Sequence, residues 1–253
     1  MPRLQKMIEY TILVSIMKTK FLCLFFITAL IFSACGEGEG PTITSNDRGT
    51  YDGYDYEFWS NSNASGKMTL GDAGTFTCEW NNTGPGGNIL FRSGKRFGSS
   101  QTHSSVGNIS ISYSAKYSPS GGGASYLSVY GWTQNPLVEY YIVENYLGGY
   151  HPGSNGSHRG SFSIDDGTYD IYTRNMYKQP AIQGSGLYDF TQYISVRTSK
   201  RSSGTISVSE HFKKWSSLGL DMSGSLYEVM MKVEGYNNNG TAEITKNTLS
   251  ISK

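Results

Sequence analysis

Pro136-Leu137-Val138-Glu139-Tyr140-Tyr141-Ile142-Val143-Glu144 decides how the chain is read. Val138, Tyr140, Tyr141, Ile142 and Val143 are β-branched or aromatic and nothing has helical spacing, so the stretch predicts a strand. Side chains alternate along a strand, which puts Glu139 and Tyr141 on one face and Val138, Tyr140 and Ile142 on the other. Glu144, five residues on, falls opposite Glu139. An acid on an aromatic wall must therefore find its chemical partner elsewhere.

Working outward, the same alternation recurs. Tyr126, Ser128, Tyr130 and Trp132 share one face of a strand and Leu127 and Val129 the other. Further on, Tyr227, Val229, Met231 and Val233 alternate as a core face, leaving Glu228, Met230, Lys232, Glu234 and Tyr236 opposite. From about Gly49 onward, runs of Tyr, Thr, Ser, Val and Ile are broken by Gly, Asn and Ser clusters. That spacing predicts an all-β sandwich or jelly roll. One segment is helical: Ser209 as cap, Phe212, Trp215 and Leu218 as an apolar stripe, and Gly219 as the stop. His211 is read as a surface or capping residue. Cys78, within Thr75-Phe76-Thr77-Cys78-Glu79-Trp80, is read as a small buried hydrophobe on a strand.

Composition narrows the function classes. With 31 Gly, 19 Tyr and 7 Pro in 253 residues, one large β-domain is expected. A net charge of +1 without basic runs gives no nucleic-acid footprint. Met17-Lys18-Thr19-Lys20, an apolar run from Phe21 to Phe32 and Ser33-Ala34-Cys35 have the layout of a signal peptide over residues 1–34, with Met17 as the true start. Its removal takes four basic residues and one acid, leaving 17 Lys+Arg against 19 Asp+Glu. Ser33-Ala34-Cys35 resembles a bacterial lipobox, with Phe32 where leucine is usual, so a lipid on Cys35 and plain secretion after Ala34 both stay open. Residues 35–48, in which Gly36-Glu37-Gly38-Glu39-Gly40 follows Cys35, are read as a flexible tether, and 49–253 as the domain. The expected locations are the surface of a bacterial outer membrane or the extracellular medium. Cys78 alone remains in the domain, so no disulfide framework is expected.

Asn135-Pro136-Leu137-Val138-Glu139-Tyr140-Tyr141-Ile142-Val143-Glu144 resembles the nucleophile signature of the family 11 glycoside hydrolases, the β-jelly-roll endo-1,4-β-xylanases. Val233-Glu234-Gly235-Tyr236 with Gly240 resembles the same family's acid/base signature, with Asn237-Asn238-Asn239 where Gln-Ser-Ser is more usual. The resemblance implies two packed, strongly curved antiparallel sheets forming a cleft, one short helix, Glu139 as nucleophile and Glu234 as acid/base. It implies no metal or cofactor, xylan and xylo-oligosaccharides as partners, a monomer, and membrane contact only through a lipid on Cys35. A retaining glycosidase holds its two carboxyl groups roughly 5–5.5 Å apart.

The resemblance also implies sugar contacts. Trp59 matches a stacking platform, with a core tryptophan as its other reading. Asn88 matches a residue that hydrogen-bonds the acid/base glutamate, which would leave the pair titrating nearer neutrality than a second carboxylate would, or it is a turn residue. Tyr130 and Tyr141 match tyrosines around the nucleophile, and Tyr236 adjoins Glu234. Gln179-Pro180-Ala181-Ile182-Gln183-Gly184 resembles a thumb hairpin with Pro180 at its tip. Gln192 keeps a sugar-contacting position, whereas Met176 stands where arginine is frequent and Ile194 where tryptophan is usual. Arg174 is the candidate to replace the missing arginine. Two rivals remain at this point: a xylan-binding protein without turnover, and a jelly-roll endoglucanase.

Overall fold

Alternating strands build two facing sheets in the computed structural model, which describes residues 40–253 apart from Thr83 and Ser99. The signal peptide over 1–34, its start at Met17, Cys35 and the tether as far as Glu39 lie outside the described residues. The smaller sheet runs in the order β1 (Thr42–Ile43), β4 (Ala64–Leu70), β5 (Phe76–Asn82), β15 (Asn239–Ser252), β7 (Asn108–Ser120), β13 (Ser203–Ile206). The larger runs β10 (Ser157–Ile164), β11 (Gly167–Ala181), β12 (Gly184–Arg197), β9 (Val138–Tyr146), β8 (Ala124–Gln134), β14 (Ser225–Tyr236), β6 (Asn88–Arg96), β3 (Tyr54–Ser60), β2 (Asp47–Tyr51). This is the expected β-jelly roll.

The core lies between the sheets. Phe58, Phe91, Val129, Tyr140, Ile142, Met231 and Val233 of the larger sheet pack against Met68, Phe76, Trp80, Ile111 and Tyr113 of the smaller. Phe58 and Phe91 stack at 4.9 Å. Cys78 is buried in the same core, as its strand position predicts, and burial pushes its thiol pKa up. Helix α2 (Val208–Ser217) sets Phe212 and Trp215 against Tyr140, with ring centroids 5.0 and 5.9 Å away. A single helical turn, α1 (His103–Val106), escaped the sequence reading; Thr102 caps it through Ser105 N.

Five expectations need correction. The strands begin before Gly49: β1 and the first two residues of β2 occupy the stretch assigned to the tether, because Gly40 N donates to Leu70 O and Asn46 brackets Ser60. β12 and β9 run parallel, not antiparallel: β10 and β12 both run antiparallel to β11, and the 147–156 loop brings the chain into β10 in the direction of β9. A bulge between Leu226 and Glu228 changes the parity of β14, so Leu226 faces the core and Tyr227 the opposite side. The helix cap is Ser207, whose hydroxyl donates to Asp165; Ser209 lies one residue inside and its hydroxyl donates to Gly107 O and accepts from Ile109 N. His211 is fully buried, its Nδ1 paired with Ser195 Oγ at 3.0 Å. Burial, with Arg201 and Arg197 nearby, lowers its pKa to about 3.

Candidate active site

The outer face of the larger sheet carries a second cluster, formed by Tyr130, Trp132, Tyr141, Val143, Phe190, Ile194 and Val196, with Tyr126, Tyr172, Met176 and Tyr227 packed against it. Register explains its polar content. Residues directly opposite one another share a face, so Arg96, Glu228, Trp132, Glu139, Gln192 and Arg174 form one row across β6, β14, β8, β9, β12 and β11. A second row runs Trp59, Leu90, Glu234, Tyr126 and Tyr146 across β3, β6, β14, β8 and β9. Glu139 and Glu234 thus share one face on strands separated only by β8.

Glu139 is held from three sides. Tyr130 and Tyr141 hydroxyls donate to its Oε1 at 2.7 and 3.0 Å, and Gln192 Nε2 donates to its Oε2 at 2.7 Å. Trp132 Nε1 donates in turn to the Tyr130 hydroxyl at 2.6 Å. Glu139 as a residue is 7% exposed. Burial raises its pKa, while Lys232 and the donors from Gln192 and Tyr130 oppose the rise. Small size at Gly131 leaves room behind this wall for the Tyr140 hydroxyl, which donates to Glu228 O at 2.5 Å.

Glu234 is bound differently. Its Oε2 accepts from Lys232 Nζ at 2.5 Å, and that ammonium lies 3.8 Å from the Tyr130 ring centroid and 4.1 Å from that of Tyr141. The two glutamates are therefore linked through the tyrosines and one lysine. Beside them, fully buried Glu228 accepts from Arg92, which also donates to Glu57 Oε2 at 2.6 Å, and Arg96 donates to the same oxygen at 3.0 Å. The sequence reading put Lys232 and Glu228 on the polar face without a role. Their alternation with Glu234 was the available signal, but alternation cannot say that this face is covered.

The remaining candidates fall around this centre. Trp59 is half-buried in the row of Glu234, and Phe58 takes the core position instead. Asn88 and Tyr236 pair at the next position, with Tyr236 44% exposed at the rim. Among the described residues no hydrogen bond joins Asn88 to Glu234, and Asn88 Oδ1 is buried without a partner; Glu234 is bonded by Lys232. Pro180 is exposed on the β11–β12 hairpin just before its Ile182-Gln183 turn, while Ala181 and Ile182 pack against the aromatic cluster. Met176 and Ile194 both pack into that cluster. Arg174 stands next to Gln192 and donates to Pro152 O and Ser154 O at 3.1 and 2.8 Å, tying the 147–156 loop over the end of the site. A space of about 40 Å³ remains there, bounded by Tyr126, Tyr141, Arg174 and Gln192.

A jelly roll whose outer face holds two glutamates among tyrosines and tryptophans defines a carbohydrate-active hydrolase. The chain belongs to the glycosyl hydrolases family 11, whose profile matches residues 51–245. It is 52% identical over 211 residues to an endo-1,4-beta-xylanase A of Bacillus pumilus, covering 83% of this chain and 87% of that protein. It is 41% identical to endo-1,4-beta-xylanase 2 of Rhizopus oryzae, over 85% of this chain and 91% of that protein. An endo-1,4-beta-xylanase A of Thermoclostridium stercorarium is 48% identical over 84% of this chain, which spans 31% of that longer protein. The structure of the family 11 xylanase from Neocallimastix patriciarum superposes with a TM-score of 0.77 at 37% identity, covering 84% of this chain and all of that one.

Proposed function

We propose that the chain is an endo-1,4-β-xylanase that hydrolyses internal xylan linkages with retention of configuration. The observation that carries this reading is the pair Glu139 and Glu234 on one aromatic face, one held by neutral donors and the other by a cation. Glu139 Oε2 attacks the anomeric carbon as the glycosidic C–O bond breaks, and the Glu234 proton passes to the leaving oxygen. Glu234, now a carboxylate, takes a proton from water, whose oxygen displaces Glu139 from the sugar. Pyranose rings present apolar C–H faces that suit Trp59, Tyr126 and Tyr141, and their hydroxyls suit the phenols. Matches to relatives named endo-1,4-beta-xylanase support xylan as the substrate.

Reducing-sugar release from linear β-1,4-xylan and from carboxymethylcellulose tests this, with Glu139→Ala and Glu234→Ala alongside. Xylan cleavage lost in both variants supports the reading. Xylan binding without cleavage by the unmutated chain would make it a binding protein, and cleavage of carboxymethylcellulose would move the substrate to glucans.

Export is inferred as well, on the signal-like residues 17–35 and the cysteine at their end. Metabolic labelling with a fatty acid checks the lipid: label lost in Cys35→Ser supports the anchor, and no label on the unmutated chain points to plain secretion.

A further inference from the structure

Among the described residues Lys232 is the one buried lysine, and nothing in the proposed chemistry uses it. Its side chain is wholly enclosed. Burying an ammonium is costly unless anions and hydrogen bonds offset the lost hydration, so its surroundings state what it is there for. On its own strand it bonds Glu234 at 2.5 Å. From β8 the Tyr130 ring covers it, and from β9 the Tyr141 ring does so, with Glu139 beyond them within electrostatic reach. From β6, Arg92 stands directly opposite in register, a like charge that opposes it. Gln192 on β12 reaches the group only through Glu139.

We propose that Lys232 is a positioning residue for the catalytic pair: its buried ammonium grips Glu234, is fixed by the Tyr130 and Tyr141 rings, and sets the pH window in which one glutamate is ionised while the other holds a proton. This rests on the roles assigned to Glu139 and Glu234 above.

Charge supports it. The network joins five carboxylates, Asp55, Glu57, Glu139, Glu228 and Glu234, with three cations, Arg92, Arg96 and Lys232, so negative charge is already in excess. Removing Lys232 enlarges that excess beside Glu139, and losing a cation favours the neutral form of the carboxyl groups around it. Burial lowers the Lys232 pKa, and Glu234 and Glu139 oppose that fall; Lys232 is in turn the largest influence opposing the burial-driven rise at Glu139. The phenol hydrogens already committed to Glu139 fix the rings that cage the ammonium, so the lysine and the nucleophile share one scaffold.

The test is the pH profile of kcat/KM on xylan-derived oligosaccharides for the parent, Lys232→Met and Lys232→Arg. Methionine keeps an unbranched stem one atom shorter and removes the charge. Both limbs of the bell are expected to move up by about one pH unit in Lys232→Met, with Lys232→Arg restoring the parent profile. A Lys232→Met bell that superimposes on the parent's overturns the proposal. Should that variant not fold, the ¹³Cε resonance of Lys232 in the unmutated chain decides: an inflection at the pH of the alkaline limb, absent in Glu234→Gln, upholds it, and no inflection overturns it. Activity retained by Glu139→Ala or Glu234→Ala would instead defeat the assignment of the pair, which the profiles do not touch.

Discussion

Glu139 and Glu144 lie five residues apart on β9 and both are buried, yet they are held in opposite ways. Glu144 faces the core, where the Tyr113 hydroxyl donates to it at 2.9 Å, Tyr169 donates to its other oxygen and Arg201 forms a direct ion pair. Glu139 faces the cleft and receives hydrogen bonds only from neutral groups, its cation standing off behind the tyrosine rings. A carboxylate paired and enclosed on the core side is out of a substrate's reach, whereas one that faces the cleft and is fixed by neutral donors stays available to a carbon that develops positive charge. The strand thus builds a structural and a chemical acid from the same residue type by facing them to opposite sides of one sheet.

The sharpest way to break that contrast is an isosteric amide at each position. Glu139→Gln is expected to cut kcat on xylan by at least about 10³-fold with the fold intact, checked by activity and thermal melting together. Glu144→Gln should do the reverse, keeping the kcat of the folded protein while costing about 3 kcal/mol in a denaturant titration, because Arg201 is left without its partner. If both variants lost activity equally and neither lost stability, the two acids would not differ as described.

How much of this was legible follows from what alternation can say. Period two places Glu139 apart from Glu144, and Glu234 on a polar face, because each depends only on neighbours within one strand. The face of Tyr227 was misread because a bulge inserts a residue that composition does not announce. The parallel pairing of β9 with β12, the enclosure of His211 beneath the larger sheet and the grip of Lys232 on Glu234 depend on which strands become neighbours, and no local pattern carries that. Early strands over 42–51 were hidden by the glycine-rich stretch before them; their pairing comes from distant partners in β4 and β3.

Smaller effects sharpen the comparison further. Tyr130→Phe removes one of the two phenol donors from Glu139 and leaves Tyr141 in place, so kcat/KM should fall about tenfold or somewhat more, as for a hydrogen bond to a charged group. Steady-state kinetics read this directly, and a decrease in stability alone would point to packing. The last effect is one of pH and concerns His211, on the core side with Glu144. Its folded pKa of about 3 lies below the unfolded value of about 6.5, so the unfolded chain binds the extra proton between them. Its contribution is complete above that upper value and is lost as pH falls through the window, by at most about 1.4 kcal/mol per pH unit. Melting temperatures from pH 7 to 4 should therefore fall more steeply in the parent than in His211→Asn.

The most direct measurement of the central claim is the anomeric configuration of the first product, followed by ¹H NMR as xylo-oligosaccharide is cleaved. A nucleophile at Glu139 and an acid/base at Glu234 give two inversions, so the β-anomer should appear first and the α-anomer only later by mutarotation. An α-anomer formed first would mean that water attacks directly, and Glu139 would not be the nucleophile.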